Sequence, residues 1–385
     1  MKKIVYIFAV LLFVSVKAAA QNPQLIIDDC YAPIGGQVVV AVKYDTEGEN
    51  YSGVNFNIDL PEGLTFVLDA NSNVKATMDA SNSGFQAVTS SNGFAPFSTS
   101  DYLAGKDGIL LTFIINVASD LTKDAKLECT VRNLAFTSAA GTKISLEPFS
   151  FVVTISDKWV LDENSAAVPA STDGIVDVLV KRTIPANQWS TICLPFEMDE
   201  EQVKAAFGDG VQIAEFVAAT FAEDAIEIEF ENANLSRYGF EANMPYVIKV
   251  PSPLSEFEVS AKIEPNESKA VSTVRRAGDF VGTLHAGLKV PESSLFISGN
   301  KFWYSKGNTT IKGFRGYFTL EKSIMNAKIS LIVNGESTSI DGMNVQYAVE
   351  GVYDLSGRKI QLKDGDLNKL QKGVYIIDGK KVTIK

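Results

Sequence analysis

Apolar and polar residues alternate with period two along most of this chain, which predicts strands rather than helices. Val54-Asn-Phe-Asn-Ile-Asp-Leu60 shows the pattern most cleanly. Val54, Phe56, Ile58 and Leu60 are expected to face a core, and Asn55, Asn57 and Asp59 to face water. Pro61-Glu-Gly63 then breaks the strand. Gly35-Gly36 turns the chain into a further strand over 37–42, and residues 109–117 are apolar on nearly both faces, as a central, doubly covered strand would be. Short strands separated by Gly, Asn, Asp and Ser predict an antiparallel β-sandwich over residues 21–158.

The periodicity lapses in Asp162-Glu-Asn-Ser-Ala-Ala-Val-Pro-Ala-Ser-Thr-Asp-Gly174, so residues 159–174 read as a linker. A second β-rich module is expected over 175–342, with strands at 225–230, 246–250, 314–320 and 328–333. It contains one clear helix signal at 200–207. Asp199 is placed to cap that helix, Gln202 completes a capping-box spacing, and Gly208 stops it. A small C-terminal region over 343–385 ends in two apolar runs flanking Asp378-Gly379, a strong hairpin signal because a type I′ turn needs positive φ at both central residues. The expected class is all-β: a sandwich, a second β-rich domain and a terminal hairpin region.

The first residues change the picture from fold to address. Lys2 and Lys3 precede an apolar run from Ile4 to Val16, and Ala18-Ala19-Ala20 leads into Gln21. This is the pattern of a secretory signal peptide, with cleavage expected between Ala20 and Gln21. The run is too short for a hydrocarbon core of roughly 30 Å, and no later segment is long and apolar enough for a membrane helix. The formal net charge of −11 becomes −14 once Lys2, Lys3 and Lys17 leave with the leader. Such acidity argues against nucleic acid or anionic lipid as partner. Cys30 and Cys129 fall in one domain, where an oxidising exterior would let them pair, although each also suits a small buried position. Cys193 lies in an apolar run and is expected to be buried.

Catalytic signals are sparse. His285 is the sole histidine, which excludes two-histidine metal sites, and no G-x-S-x-G elbow exists to present a serine to it. Asp69-Ala-Asn-Ser-Asn73 begins like a calcium loop, but Val74 and Ala80 stand where its glycine and acidic ligand belong. No cofactor is expected. Aromatic side chains are the remaining route to a ligand, since their flat apolar bodies stack on sugars. Tyr102, Trp303 and Tyr304 are the candidate binding residues, with Trp189 expected in the core.

Three segments resemble known families of secreted and surface proteins from Gram-negative anaerobes. Gly36-Gln-Val-Val-Val40, Val54–Leu64 and Ala104-Gly-Lys-Asp-Gly108 make residues 25–155 similar to a cohesin-like or carbohydrate-module-like sandwich. Trp189-Ser-Thr-Ile-Cys-Leu-Pro-Phe196, Ala242-Asn-Met-Pro-Tyr-Val-Ile-Lys249 and Lys312-Gly-Phe-Arg-Gly-Tyr-Phe318 resemble a module of no established activity, with Thr338-Ser-Ile-Asp-Gly342 as its closing signature. Tyr353-Asp-Leu-Ser-Gly-Arg-Lys359, Gly373-Val-Tyr-Ile-Ile377 and the lysine-rich end resemble a type IX secretion sorting tail. Met343-Asn-Val-Gln-Tyr347 stands where that family has an Asn-Pro element.

The resemblances imply a secreted, non-catalytic binding protein at the outer-membrane surface or outside the cell. Its ligand would be a glycan or a surface protein, and its tail would engage the sorting machinery. Without a live sorting signal the location becomes periplasmic. A structural adhesin or surface assembly component, and a small glycan-active hydrolase working through two carboxylates, are the alternatives.

Overall fold

The computed structural model describes residues 22–221, 225–274, 278–321 and 328–338, together with strand segments of the tail between 352 and 384. The first unit opens with β1 (Gln24–Ile27), β2 (Cys30–Pro33), β3 (Gln37–Asp45) and β4 (Tyr51–Asp59). The short β5 (Leu64–Phe66), β6 (Ala76–Met78) and β7 (Gly93–Phe94) follow. β8 (Asp107–Val117), β9 (Lys126–Ser138), β10 (Lys143–Ser145) and β11 (Phe149–Ser156) complete the unit. One sheet runs β1-β3-β8-β5, with β6 also on β8; the other runs β2-β11-β9-β4-β7, with β10 on β9. The pairs are antiparallel except β2 and β11, which run parallel.

The alternation in β4 becomes burial as expected. Val54, Phe56 and Ile58 are core residues, whereas Asn55 and Asn57 donate to Asn133 C=O and Asn92 Oδ1 (2.8 and 3.2 Å) and Asp59 pairs with Arg132. In β8 the register against β3 slips between Val42 and Lys43, so Leu110 is an extra residue. The bulge explains why Leu110 and Leu111 are both buried although neighbours on a strand normally face opposite ways. β3 is apolar on both faces because both are covered. Val40, Val42 and Tyr44 enter the sandwich core, while Val39 and Ala41 form an outer apolar strip with Ile109.

The chain continues through β12 (Trp159–Asp162), β13 (Val176–Lys181), β14 (Ser190–Ile192), α1 (Glu200–Phe207), β15 (Gln212–Phe221), β16 (Ala225–Asn232) and the single turn α2 (Leu235–Tyr238). Then come β17 (Tyr246–Lys249), β18 (Phe257–Ala261), β19 (Val271–Val274), β20 (Gly278–Thr283), β21 (Leu288–Lys289), β22 (Leu295–Ser298), β23 (Lys301–Tyr304) and β24 (Thr310–Ile311). β25 (Arg315–Leu320), β26 (Lys328–Val333) and β27 (Glu336–Ser337) close the module. They form a three-stranded sheet β12-β13-β18, a sheet β14-β17-β15-β16-β26-β27 and a sheet β19-β20-β25-β22-β23. Helix α1 has the expected bounds and a complete capping box: Asp199 accepts from Gln202 N–H (2.8 Å) and the Gln202 side chain accepts from Asp199 N–H (3.0 Å). In the tail, β28 (Val352–Asp354), β29 (Lys359–Ile360), β30 (Gly373–Ile377) and β31 (Lys380–Ile384) pair in the order β29-β28-β30-β31. Ile377 lies opposite Lys380; Asp378, Gly379, Met343–Tyr347, Ala20 and Gln21 lie outside the described residues. Among the described residues no helix is long and apolar enough to cross a membrane.

Two expectations are corrected here. Residues 159–174 are not a loose linker. They open as strand β12, paired in parallel with β13, and continue as a segment that covers the first sandwich. Ala166 and Ala167 pack on Val39, Ala41 and Ile109, and Val168 packs beside Cys193, Ala270 and Leu284. Their small side chains let backbone approach the sheet closely. Cys30 and Cys129 are free thiols. They belong to β2 and β9, and β11 lies between them, with Val153 opposite Cys30 and Phe151 opposite Cys129. Two strand spacings are about 10 Å, beyond the roughly 7 Å between Cα atoms that a disulfide spans. Burial pushes both thiols up to about 12, which keeps them protonated.

Candidate ligand-binding cleft

The covering segment leaves a cleft of about 360 Å³ between itself, the first sandwich and the three-stranded sheet. That volume lies within the range of roughly 300–1,000 Å³ typical of ligand sites. Residues 37–41 of β3 and 159–162 of β12 line it, together with Tyr31 and Pro33 of β2 and Phe314. Tyr31 is 36% exposed and carries the Lys181 ammonium over its ring, 3.7 Å from the centroid. Trp159 is half-buried, seated against Gly36. A Cβ on Gly36 would stand 2.7 Å from Pro33 Cγ and 3.0 Å from Trp159 Cζ2. Gly36, part of the expected turn, is thus also what makes room for the tryptophan.

The polar side chains at the cleft are mostly committed. Lys43 pairs with Asp28 (2.5 Å), Asp29 accepts from Val152 N–H (2.7 Å), Asp162 accepts twice from Asn164 (2.8 Å each), and Gln37 donates to Asn116 Oδ1 (2.8 Å). Each of these carboxylates therefore already serves an ion pair, a distant backbone N–H or a turn. The cleft's shape is held from below by a buried charge cluster. Glu163, 3% exposed, meets Arg315 (2.6 Å), Lys312 (3.1 Å) and the fully buried Arg182 (3.4 Å). Arg182 also donates to the carbonyls of Phe314, Thr191 and Thr183. Burial by itself raises the Glu163 carboxyl, but Arg315 and Arg182, helped by Lys312, outweigh it and hold it below the usual carboxylate range. Glu163 C=O accepts from Gly313 N–H (2.8 Å) and Ser165 C=O from Ala286 N–H (2.7 Å), so the covering segment is tied to the second module on both sides.

The expected binding aromatics lie elsewhere. Tyr102, 47% exposed, is in the loop before β8; Trp303 is half-buried in β23, with its indole N–H donated to Ser298 C=O (3.0 Å). Tyr304 is 9% exposed and belongs to a core cluster with Trp189 and Phe318, so it offers no face to a ligand. Tyr31, Trp159 and Glu163 escaped the sequence reading. The signal for Trp159 and Glu163 was present in the apolar Trp159-Val-Leu run and the small apolar residues that follow it, but acidic and amide residues between them gave the segment the composition of a loop.

Other chemistry is occupied. His285 places Nδ1 2.8 Å from Ala286 C=O and Nε2 3.2 Å from Glu267. Both ring nitrogens thus face acceptors, which favours the imidazolium; burial opposes this, and the bonds to Glu267 and Ala286 with the charge of Asp79 prevail, raising its pKa. Asp69 Oδ1 accepts from Asn71 and Asn73 N–H (2.8 and 3.0 Å), a turn rather than an open ligand. Glu215 is raised by burial and by the charges of Glu241 and Glu231, and it lies on β15, away from the cleft.

No protein-family model matches the chain, and no curated protein matches it. Solved structures that are similar cover about a third of it. One is a Coh-OlpA–Doc918 type I cohesin–dockerin complex from Clostridium thermocellum, at 12% identity over 35% of this chain and 99% of that one, TM-score 0.29. Another is a non-cellulosomal cohesin from Archaeoglobus fulgidus, at 14% identity, 35% and 91% coverage, TM-score 0.28. A type III cohesin module from the cell-surface anchoring scaffoldin of Ruminococcus flavefaciens gives 16%, 35%, 88% and 0.28.

Proposed function

We infer that the protein is a secreted or cell-surface, non-catalytic binding protein. Its glycan or protein ligand seats in the cleft beside β3 and β12, and its C-terminal tail directs export and surface attachment. The observation that carries this reading is the cleft itself. It is concave and aromatic-edged, and it is built from a segment whose burial and hydrogen bonds fix its walls. The leader-like first twenty residues and the sorting-like tail support export. Hydrolysis is less well supported, because the cleft carboxylates are engaged by an ion pair, a distant backbone N–H and a turn rather than poised as acid and nucleophile.

The test is a binding survey on glycan arrays and displayed peptides, comparing the intact chain with Asn164→Trp. Asn164 is exposed and lines the cleft, so the indole would fill it without entering the core. Ligands bound by the native chain and lost by the variant support the reading. Ligands retained by the variant, or glycans cleaved rather than held, contradict it.

A further inference from the structure

The walls of the cleft are strand edges. Val117 N–H donates to Gly36 C=O (2.9 Å), which sets the phase of β3 against β8. Alternation along an antiparallel pair then aims the backbone groups of Val38 and Val40 at β8 and those of Gln37 and Val39 away from it. β1 covers that outer side only from Val42 to Asp45, because the chain leaves after Ile27 for the other sheet through Asp28 and Asp29. Among the described residues no strand pairs with the outer side of Gln37 and Val39. The facing wall repeats the arrangement. β12 is the terminal strand of its sheet, and Glu163 N–H donating to Lys181 C=O (3.0 Å) sets its phase so that Val160 points away from β13. Consecutive residues of both strands line the cleft, as they must when edges rather than faces form its walls.

This arrangement separates two ligand classes. A saccharide is held by free side-chain donors and acceptors, but here Asp28, Asp29, Asp162 and Gln37 are bonded to protein partners. The outer peptide N–H and C=O groups of Gln37, Val39 and Val160 have no strand partner among the described residues, and their natural complement is another main chain.

We propose that the cleft takes an extended peptide segment of a protein partner, which adds as a strand beside Gln37 and Val39 in the line that β1 vacates. The proposal rests on the binding reading above and names its ligand class. Main-chain hydrogen bonds to β3 supply register, and Tyr31, Trp159 and Val39 receive alternate side chains of the guest. Opposite it, Val160 offers a second free edge.

The probe is a set of octapeptides selected from a displayed random library against the intact protein. Bound peptide is expected to slow amide hydrogen exchange at Val39 and Gln37. N-methylation of the guest residue paired with Val39 should weaken binding about tenfold, the equivalent of one main-chain hydrogen bond and its crowding. Asn164→Trp, checked for an unchanged melting temperature, should abolish binding. Peptides that protect another surface, or that tolerate N-methylation at every position, overturn the strand-addition proposal. Selection of no peptide, together with glycans whose binding Asn164→Trp removes, overturns it while leaving the binding reading intact. Absence of both ligand classes overturns both.

Discussion

Glu163 is enclosed by two guanidinium groups and an ammonium, so its charge is what allows Arg182 to be fully buried. Removing one partner of a buried ion pair strands the other, at a cost of about 3–5 kcal/mol. Glu163→Gln is expected to lower unfolding stability by that amount in urea titration at pH 7; a loss below about 1 kcal/mol would mean the cluster is not holding the covering segment. Because the folded carboxyl is held below its ordinary value of 4.5, its contribution is present above that pH. It is lost as pH falls through the folded value. Glu215 has the opposite sign. Its folded carboxyl is raised, by burial first and then by Glu241 and by Glu231 directly across the strand pair. The penalty is absent at low pH and appears as pH rises from 4.5 through the folded value. Glu215→Gln should therefore stabilise by about 0.5 kcal/mol at pH 7, the scale of a like-charge cross-strand pair, and by nothing near pH 3. Gly36→Ala should cost about 1–3 kcal/mol through crowding of Pro33 and Trp159, with a shift in tryptophan emission; an unchanged spectrum would place Trp159 away from Gly36.

Elements differ in how openly the sequence declares them. Helix α1 was legible to its last residue because capping is local: Asp199, Gln202 and Gly208 signal within three positions of the ends. Asp199→Ala should cost about 1 kcal/mol in thermal or urea unfolding, and no change would mean the cap is satisfied otherwise. β4 and β8 were legible because alternation is also local. β12 was not, because it is short and its partner β13 pairs with it in parallel across the whole covering segment. A composition rich in Asp, Asn, Ser and Ala describes a loop equally well, and only long-range packing against Val39, Ala41 and Ile109 gives it structure. The cysteines fail for the same reason. Cys30 and Cys129 share a sheet, but an intervening strand that sequence spacing does not reveal keeps them apart.

At the scale of the whole molecule, the first sandwich and the second module are joined by more than their covalent connection. Lys289 of β21 bonds Asp107 of β8, Lys158 pairs with Glu258 (2.5 Å), and the charge of Asp79 in the first sandwich acts on His285 in the second module. The cleft is a product of that junction, which is why neither half alone announced it. The leader-like and sorting-like signals rest on sequence alone, while the proposed binding edge depends on where β1 departs and where β12 arrives. The most direct test of the central claim is hydrogen exchange on the intact protein with and without a selected ligand. The account predicts new protection at residues 37–41 and 159–162. Protection confined to the surfaces around Tyr102 or Trp303, with the cleft unchanged, would contradict it.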